Sequence, residues 1–223
     1  MRCSVKKKPI TAMRLVFYVI GLVFAVLGVT MATRTGFGVS PITSFPFSVS
    51  QATGMPLAGL NFTLYMIMVA AQFILRGKNR RWKDLLQIPM SIAFNVLLGW
   101  FDMLFPATFS GLGQRIALLA GSILLCGISV FLLVNMDIVA NPPDNLAKTI
   151  SDVSGKNLGL VKNIMDAISV SVAFSVDIFG GKGIFTSVGV GTVISMIFIG
   201  RTVALCEHFF KKQLLCAAGL QES

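Results

Sequence analysis

The sequence predicts an all-α membrane protein of about six transmembrane helices, arranged as two inverted-topology three-helix repeats, each with a short re-entrant or interfacial half-helix. Three observations predict this fold class. Of the 223 residues, 55% are hydrophobic and only 13% are charged, which is too little charge to cover a soluble surface. Six apolar runs each approach the roughly 20 residues that cross a bilayer. The chain also resembles itself when it is shifted by 101 residues.

The apolar runs are expected to be helices, because lipid offers no hydrogen-bonding partner to exposed peptide groups. A helix satisfies its own backbone, whereas a barrel would need short segments of alternating polarity. In chain order, the runs cover residues 15–32, 61–75, 88–105, 116–136, 161–179 and 184–205.

The net charge of +10 comes from basic residues in the predicted loops and tails. They cluster in the tail of residues 1–13, in the loop of residues 76–83 and in the tail of residues 206–223. This distribution is the positive-inside pattern, which predicts that both termini and this loop are cytoplasmic. It favours a lipid bilayer over nucleic acid as the partner of the positive charge. Residues 1–223 are therefore expected to form a single multi-pass membrane domain.

The internal repeat aligns residues 14–104 with residues 115–205 without a gap. Identical pairs in the stretch between the first two runs of each half carry the alignment, because apolar composition alone does not produce them: Pro41/Pro142, Ser50/Ser151, Gly54/Gly155 and Leu57/Leu158. An odd number of crossings per repeat inserts the second repeat upside down. Inverted repeats of this kind are typical of secondary transporters and some channels. The alternative is that the duplication only builds a stable bundle.

A proline-led segment follows the first helix of each repeat. Ser40 precedes Pro41 and Asn141 precedes Pro142, which predicts an N-cap and a first helical turn. Gly54 and Gly155 then end a helix too short to span a bilayer. If the helix dips into the membrane, its start directs free N–H groups and partial positive charge inward, toward an anionic or oxygen-rich substrate. The two starts are expected to meet near the midplane, and an interfacial amphipathic helix is the alternative.

Polar side chains at these starts and along polar stripes of the long helices are the candidate substrate-binding residues. Lipid penalises such side chains, so the stripes are expected to face each other or a wet cavity. Gln72 and Gln87 belong to the same stripes. The candidates are Ser40, Thr43, Ser44, Asn61, Tyr65, Asn95, Asn141, Asp144 and Asn145. For Asp144, binding a proton or cation and capping its own helix are both open.

Lys162 and Asp166 lie one turn apart inside the fifth run and form either a structural ion pair or a coupling site. Nothing in the sequence predicts an enzyme, a metal site or a cofactor. His208 is the sole histidine and lies in the basic tail, and the four cysteines form no CxxC pair. No GxSxG, HExxH or P-loop pattern occurs, so no catalytic residue is expected.

The glycine-rich turn into Ser40-Pro41, the matching Asn141-Pro142-Pro143-Asp144 and the compact duplicated layout resemble the YczE/YyaS/YitT family of bacterial membrane proteins. The resemblance covers most of the chain. It implies a protein of the bacterial inner membrane, and it supplies no substrate and no binding residues.

The leading functional hypothesis is a secondary transporter that moves a small polar or anionic metabolite through a midplane site between the repeats. Coupling to a proton or sodium ion through Asp166 or Asp144 and uncoupled facilitation are both open, as is a homodimer. A channel of similar architecture is one alternative. A non-transporting membrane component that assists a partner complex is another.

Overall fold

The computed structural model of the chain describes residues 12–77, 82–105, 109, 111–156, 158–179 and 188–219. These residues form eight α-helices and one short 3-10 helix, Trp82–Leu86, and contain no strand. The α-helices are α1 (Ala12–Thr35), α2 (Pro41–Thr53), α3 (Leu57–Arg76), α4 (Gln87–Leu104), α5 (Leu112–Met136), α6 (Pro142–Ser154), α7 (Leu158–Phe179) and α8 (Val190–Ala217).

The six predicted apolar runs correspond to the long helices α1, α3, α4, α5, α7 and α8. Among the described residues, five helices are long and apolar enough to cross a membrane, and α7 is not one of them. Helix α7 carries Lys162, Asp166 and Asp177. The tail predicted from residue 206 begins as helix instead, because α8 continues to Ala217. Residues 1–11 and 78–81, on which much of the predicted basic pattern falls, lie outside the described residues.

The two short helices begin and end where the sequence predicts. Each starts at its proline and ends before a left-handed glycine, Gly54 with φ 75° and Gly155 with φ 69°. Glycine adopts this conformation without the steric cost that other residues incur, so it stops the helix there. Ser40 and Asn141 occupy the N-cap positions as predicted, but neither side chain forms a capping hydrogen bond. The Ser40 hydroxyl instead lies 2.5 Å from the Thr43 hydroxyl.

Helices α1 and α5 pack against each other in opposite directions. Arg14, near the start of α1, donates to the carbonyl of Met136, the last residue of α5. Arg115, near the start of α5, donates to the carbonyl of Thr35, the last residue of α1. A cation at a helix C-terminus satisfies unpaired carbonyls and the negative end of the helix dipole, so each contact stabilises both partners.

The other long helices extend from this pair on either side. Helix α8 packs on α5, α4 packs on α1, and α3 packs on α4. The short helices α2 and α6 each pack against both α3 and α7. Helices α7 and α8 have no interface comparable to that between α3 and α4 within the described residues.

Candidate functional site

The first turn of α6 is held by a buried polar network. The Asn145 amide donates to Gln72 Oε1 at 2.8 Å and to Asp84 Oδ1 at 3.1 Å. Arg76 forms an ion pair with Asp84 and lies 3.4 Å from the Asn145 oxygen that accepts its hydrogen bond. Both oxygen and nitrogen of the Asn145 amide are therefore engaged by the protein, which gives this predicted substrate-binding residue a structural role.

Two glutamines continue the network between α3 and α4. Gln87 donates to Gln72 Oε1 at 3.0 Å, and Gln72 donates to the Pro142 carbonyl at 3.0 Å. Both glutamines are at most 1% exposed. They lie on the predicted polar stripes, whereas the roles of Arg76 and Asp84 were missed because both residues border a basic loop in the sequence.

Asp144 and Lys162 form an ion pair that joins α6 to α7. The Lys162 ammonium lies 2.7 Å from Asp144 Oδ1. The predicted pairing of Lys162 with Asp166 is wrong, because α6 lies beside α7 and brings the Asp144 carboxylate to the lysine. The capping alternative for Asp144 is also wrong, since its carboxylate binds Lys162 rather than its own helix. Asp166 stays within electrostatic range of both residues, and its Oδ1 is buried with no hydrogen-bond partner among the described residues.

A second polar pair lies between α3 and α4. Asn61 donates to Asn95 Oδ1 at 2.9 Å, and Asn95 donates to the Ser91 carbonyl at 2.8 Å. One turn further along α3, Tyr65 is 3% exposed and its ring centre lies 5.9 Å from that of Phe94. Further along α3, Gln72 donates to the Pro142 carbonyl, which places the α3 stripe near the start of α6.

The start of α2 lies apart from these residues. The Thr43 hydroxyl lies 3.0 Å from the Ser40 carbonyl, and the Ser44 hydroxyl donates to the Pro41 carbonyl at 2.5 Å. Further along α2, the Ser48 hydroxyl donates to the Ala173 carbonyl of α7 at 2.9 Å. The predicted serine and threonine cluster is therefore buried, but it faces its own turn and not the Asn61 and Asp144 region.

The two short helices do not start at a common point, contrary to the prediction that their starts meet near the midplane. Ser40 lines a cavity with Ala32 of α1, whereas the Val139 carbonyl, two residues before Asn141, lies 3.3 Å from the Tyr18 hydroxyl of α1. Tyr18 and Ala32 are about 20 Å apart along the helix axis at 1.5 Å per residue. The starts are separated because each short helix follows the end of α1 or α5, and those ends point in opposite directions.

Replacement of Asn145 by leucine should lower the free energy of unfolding by about 1–3 kcal/mol, because buried acceptors on Gln72 and Asp84 lose their donor. The measurement is the thermal unfolding midpoint of the purified protein in detergent. Asn163→Leu is the matched control, since Asn163 is exposed on α7. Equal midpoints for the two variants would contradict the structural role of Asn145.

Comparisons with known proteins identify a family of unknown function and one relative that is described as a membrane protein. The family described as "Family of unknown function (DUF6198)" matches residues 12–208. The uncharacterized membrane protein YczE of Bacillus subtilis (strain 168) is 24% identical over 189 residues, which cover 84% of this chain and 82% of that protein. No solved structure matches the chain. The relatives and the apolar helices together make this a membrane protein with several membrane-spanning helices.

Proposed function

The chain belongs to the family of unknown function DUF6198, and from that starting point we propose that it is a secondary transporter. It moves a small polar or anionic metabolite across the bacterial inner membrane, through a polar site between two inverted repeats. Six helices cross the membrane in this proposal, because α7 is 22 residues long and its charged residues face other polar groups. The basic tails and loop put both termini in the cytoplasm.

The positions of the helices support the inverted repeat. Helices α2 and α6 start at Pro41 and Pro142, and both are 13 residues long. The α1–α5 contacts repeat at the same spacing of 101 residues, since Arg14 corresponds to Arg115 and Thr35 to Met136. Exchanging the two halves therefore converts one arginine contact into the other, as an axis in the membrane plane requires.

Each short helix also packs against the opposite half. Helix α2 packs on α7, and α6 packs on α3, so the two halves are interleaved around the polar side chains. Sites between inverted repeats, bordered by interrupted helices, are the usual binding sites of secondary transporters.

The observation that carries the proposal is a set of buried polar atoms without a hydrogen-bond partner among the described residues. Three of them belong to residues of the polar stripes and short-helix starts: Ser91 Oγ, Asn141 Oδ1 and Asp166 Oδ1. Each buried polar atom without a partner costs about 1–3 kcal/mol, and lipid provides none. A polar substrate that passes between the repeats supplies hydrogen-bond partners for these atoms. In a purely structural bundle, the same unpaired atoms would only lower the stability.

The packing of the two halves differs at one place, which supports two conformations of the protein. Helix α3 packs on α4, but the corresponding helices α7 and α8 lack a comparable interface within the described residues. A repeat protein that alternates between two states breaks its internal symmetry in each state. Coupling to a proton or sodium ion through Asp166 or Asp144 and uncoupled facilitation both fit this arrangement, as does a homodimer.

The test is uptake into liposomes that contain the purified full-length protein, across a panel of small carboxylates, amino acids and inorganic anions. We expect saturable uptake and counterflow of at least one compound. Asn61→Leu should reduce that uptake by at least about tenfold, because it removes one buried amide from the site. Asn163→Leu, on the exposed face of α7, should leave it unchanged.

Three outcomes would overturn the proposal. Flux without saturation or counterflow would make the protein a channel. No flux, together with a stable co-purifying partner, would make it a component of a complex. If Asn61→Leu leaves uptake unchanged, Asn61 does not contribute to the binding site, and the proposed site beside α3 is wrong.

A further inference from the structure

A small cavity lies between α1, α5, α8 and the first turn of α2. Its volume is about 20 Å³, enough for one water molecule or one monatomic ion. The polar lining consists of hydroxyl and thiol groups from three helices: Ser40, Thr43, Ser122, Cys126 and Ser195. Among the described residues, no charged side chain lines this cavity.

The Ser195 hydroxyl is a buried polar group in the lining of the cavity. Ser195 is only 4% exposed and lines the cavity, yet its hydroxyl forms no hydrogen bond with any described residue. A serine in a helix can usually donate to a carbonyl one turn earlier, as Ser122 does to Leu119 at 2.8 Å. A buried hydroxyl without such a bond is available to a bound species.

The N-terminal turn of α2 determines whether the cavity favours an anion or a cation. Ser40 makes no capping bond, so the first N–H groups of α2 have no side-chain partner. These N–H groups and the helix dipole favour a negative ion and oppose a cation. Hydroxyl groups donate to an anion, and the cavity lining contains no carboxylate that would repel it.

The residues that line this cavity are not repeated in the other half. The residues 101 positions away from Ser195 and Ala32 are the larger Phe94 and Leu133. The position equivalent to Thr43 is Asp144, whose carboxylate pairs with Lys162.

We propose that this cavity binds one small monovalent anion of the size of chloride or bromide, held by the Ser195 hydroxyl and the backbone N–H groups in the first turn of α2. This site is separate from the Asn61 and Asp144 region, and its occupancy does not require transport. Binding and uptake are therefore measured independently, and one can fail while the other holds.

The experiment uses the full chain in lipid nanodiscs, prepared in sodium gluconate. Titration with sodium chloride or sodium bromide at constant ionic strength should raise the unfolding midpoint in a saturable way, and bound chloride should broaden its ³⁵Cl NMR line. Ser195→Ala should weaken the apparent affinity at least about tenfold, because it removes a hydrogen bond to a charged ligand. Ala32→Leu should abolish the halide effect, because Ala32 lines the cavity and the larger side chain fills it. Ser175→Ala should leave the affinity unchanged, since that hydroxyl is exposed on α7 and donates to Ser171.

The proposal fails if halides stabilise the protein no more than gluconate, because the cavity would then hold water only. It also fails if the stabilisation follows the sodium concentration when choline replaces sodium. If Ser195→Ala does not fold, Ala32→Leu alone decides the outcome, and unchanged halide affinity in that variant overturns the proposal.

Discussion

Replacement of Lys162 by methionine should lower the uptake rate by about fivefold and lower the unfolding midpoint, because it leaves the Asp144 carboxylate without its cation. The two charged atoms are 2.7 Å apart, and Asp166 acts on both groups. Both side chains are about half exposed, 51% for Lys162 and 45% for Asp144, so loss of the pair should cost about 1 kcal/mol, which corresponds to a factor of about five. Uptake into liposomes and thermal unfolding in detergent measure the two effects.

The exchange variant, Lys162→Asp combined with Asp144→Lys, restores an ion pair between the same helices. It should recover part of the stability but not all of it, since a lysine at the start of α6 opposes the helix dipole. Lys156→Met is the control, because Lys156 is exposed. If Lys162→Met behaves like Lys156→Met in both measurements, the ion pair is unimportant for structure and uptake.

Replacement of Gly28 by valine should abolish the folded protein. A Cβ atom at Gly28 would lie 2.5 Å from Cys126 Sγ and 3.1 Å from the Cys126 nitrogen and the Ser122 oxygen. The backbone of α5 cannot move away locally, because both ends of the α1–α5 pair are fixed by arginines. Overpacking of this kind lowers the free energy of unfolding by about 1–3 kcal/mol or more. The two γ-methyl groups of valine add to the clash made by its Cβ atom.

The measurement is the fraction of monodisperse protein in detergent by size-exclusion chromatography. Gly200→Val is the matched control, since Gly200 is also within a helix and its added Cβ would meet nothing within 4 Å. A Gly28→Val variant as monodisperse as Gly200→Val would show that α1 and α5 are not closely packed in the membrane protein.

Much of the fold could be predicted because its signals are local. Apolar runs locate the long helices, since a bilayer permits little else over such a length. Pro41 and Gly54 locate the short helix α2, because proline favours the first turn and glycine adopts the left-handed end. The same pair of residues in the second half locates α6.

The partners of the polar residues could not be predicted, because they depend on which helices are neighbours. Lys162 and Asp166 have the spacing of an ion pair within one helix, and this spacing favoured the wrong partner. Only the position of α6 beside α7 reveals Asp144 as the residue that binds the lysine. Similarly, Arg34 and Asp102 had no assigned partner in the sequence but form an ion pair 2.5 Å long between α1 and α4.

Within the candidate site, the polar residue types in the sequence predicted interactions between helices, whereas their positions in the chain did not predict which residues meet. Asn61, Asn95 and Asn145 are buried and interact across helices, as expected of polar groups in lipid. The separation of the two short-helix starts was not apparent, because it follows from the antiparallel contact of α1 and α5. That contact depends on two arginines whose targets are backbone carbonyls, which carry no sequence signal.

The reciprocal arginines restrict how the molecule can move. A lengthwise slide of α1 along α5 by one residue, about 1.5 Å, would strain the hydrogen bonds at both ends and press Gly28 against the α5 backbone. An elevator-like displacement of one half past the other is therefore unfavourable. A conformational change that exposes the polar region first to one side of the membrane and then to the other must therefore rotate α2, α3, α6 and α7 around the α1–α5 pair. In such a change α1 and α5 keep their positions relative to each other.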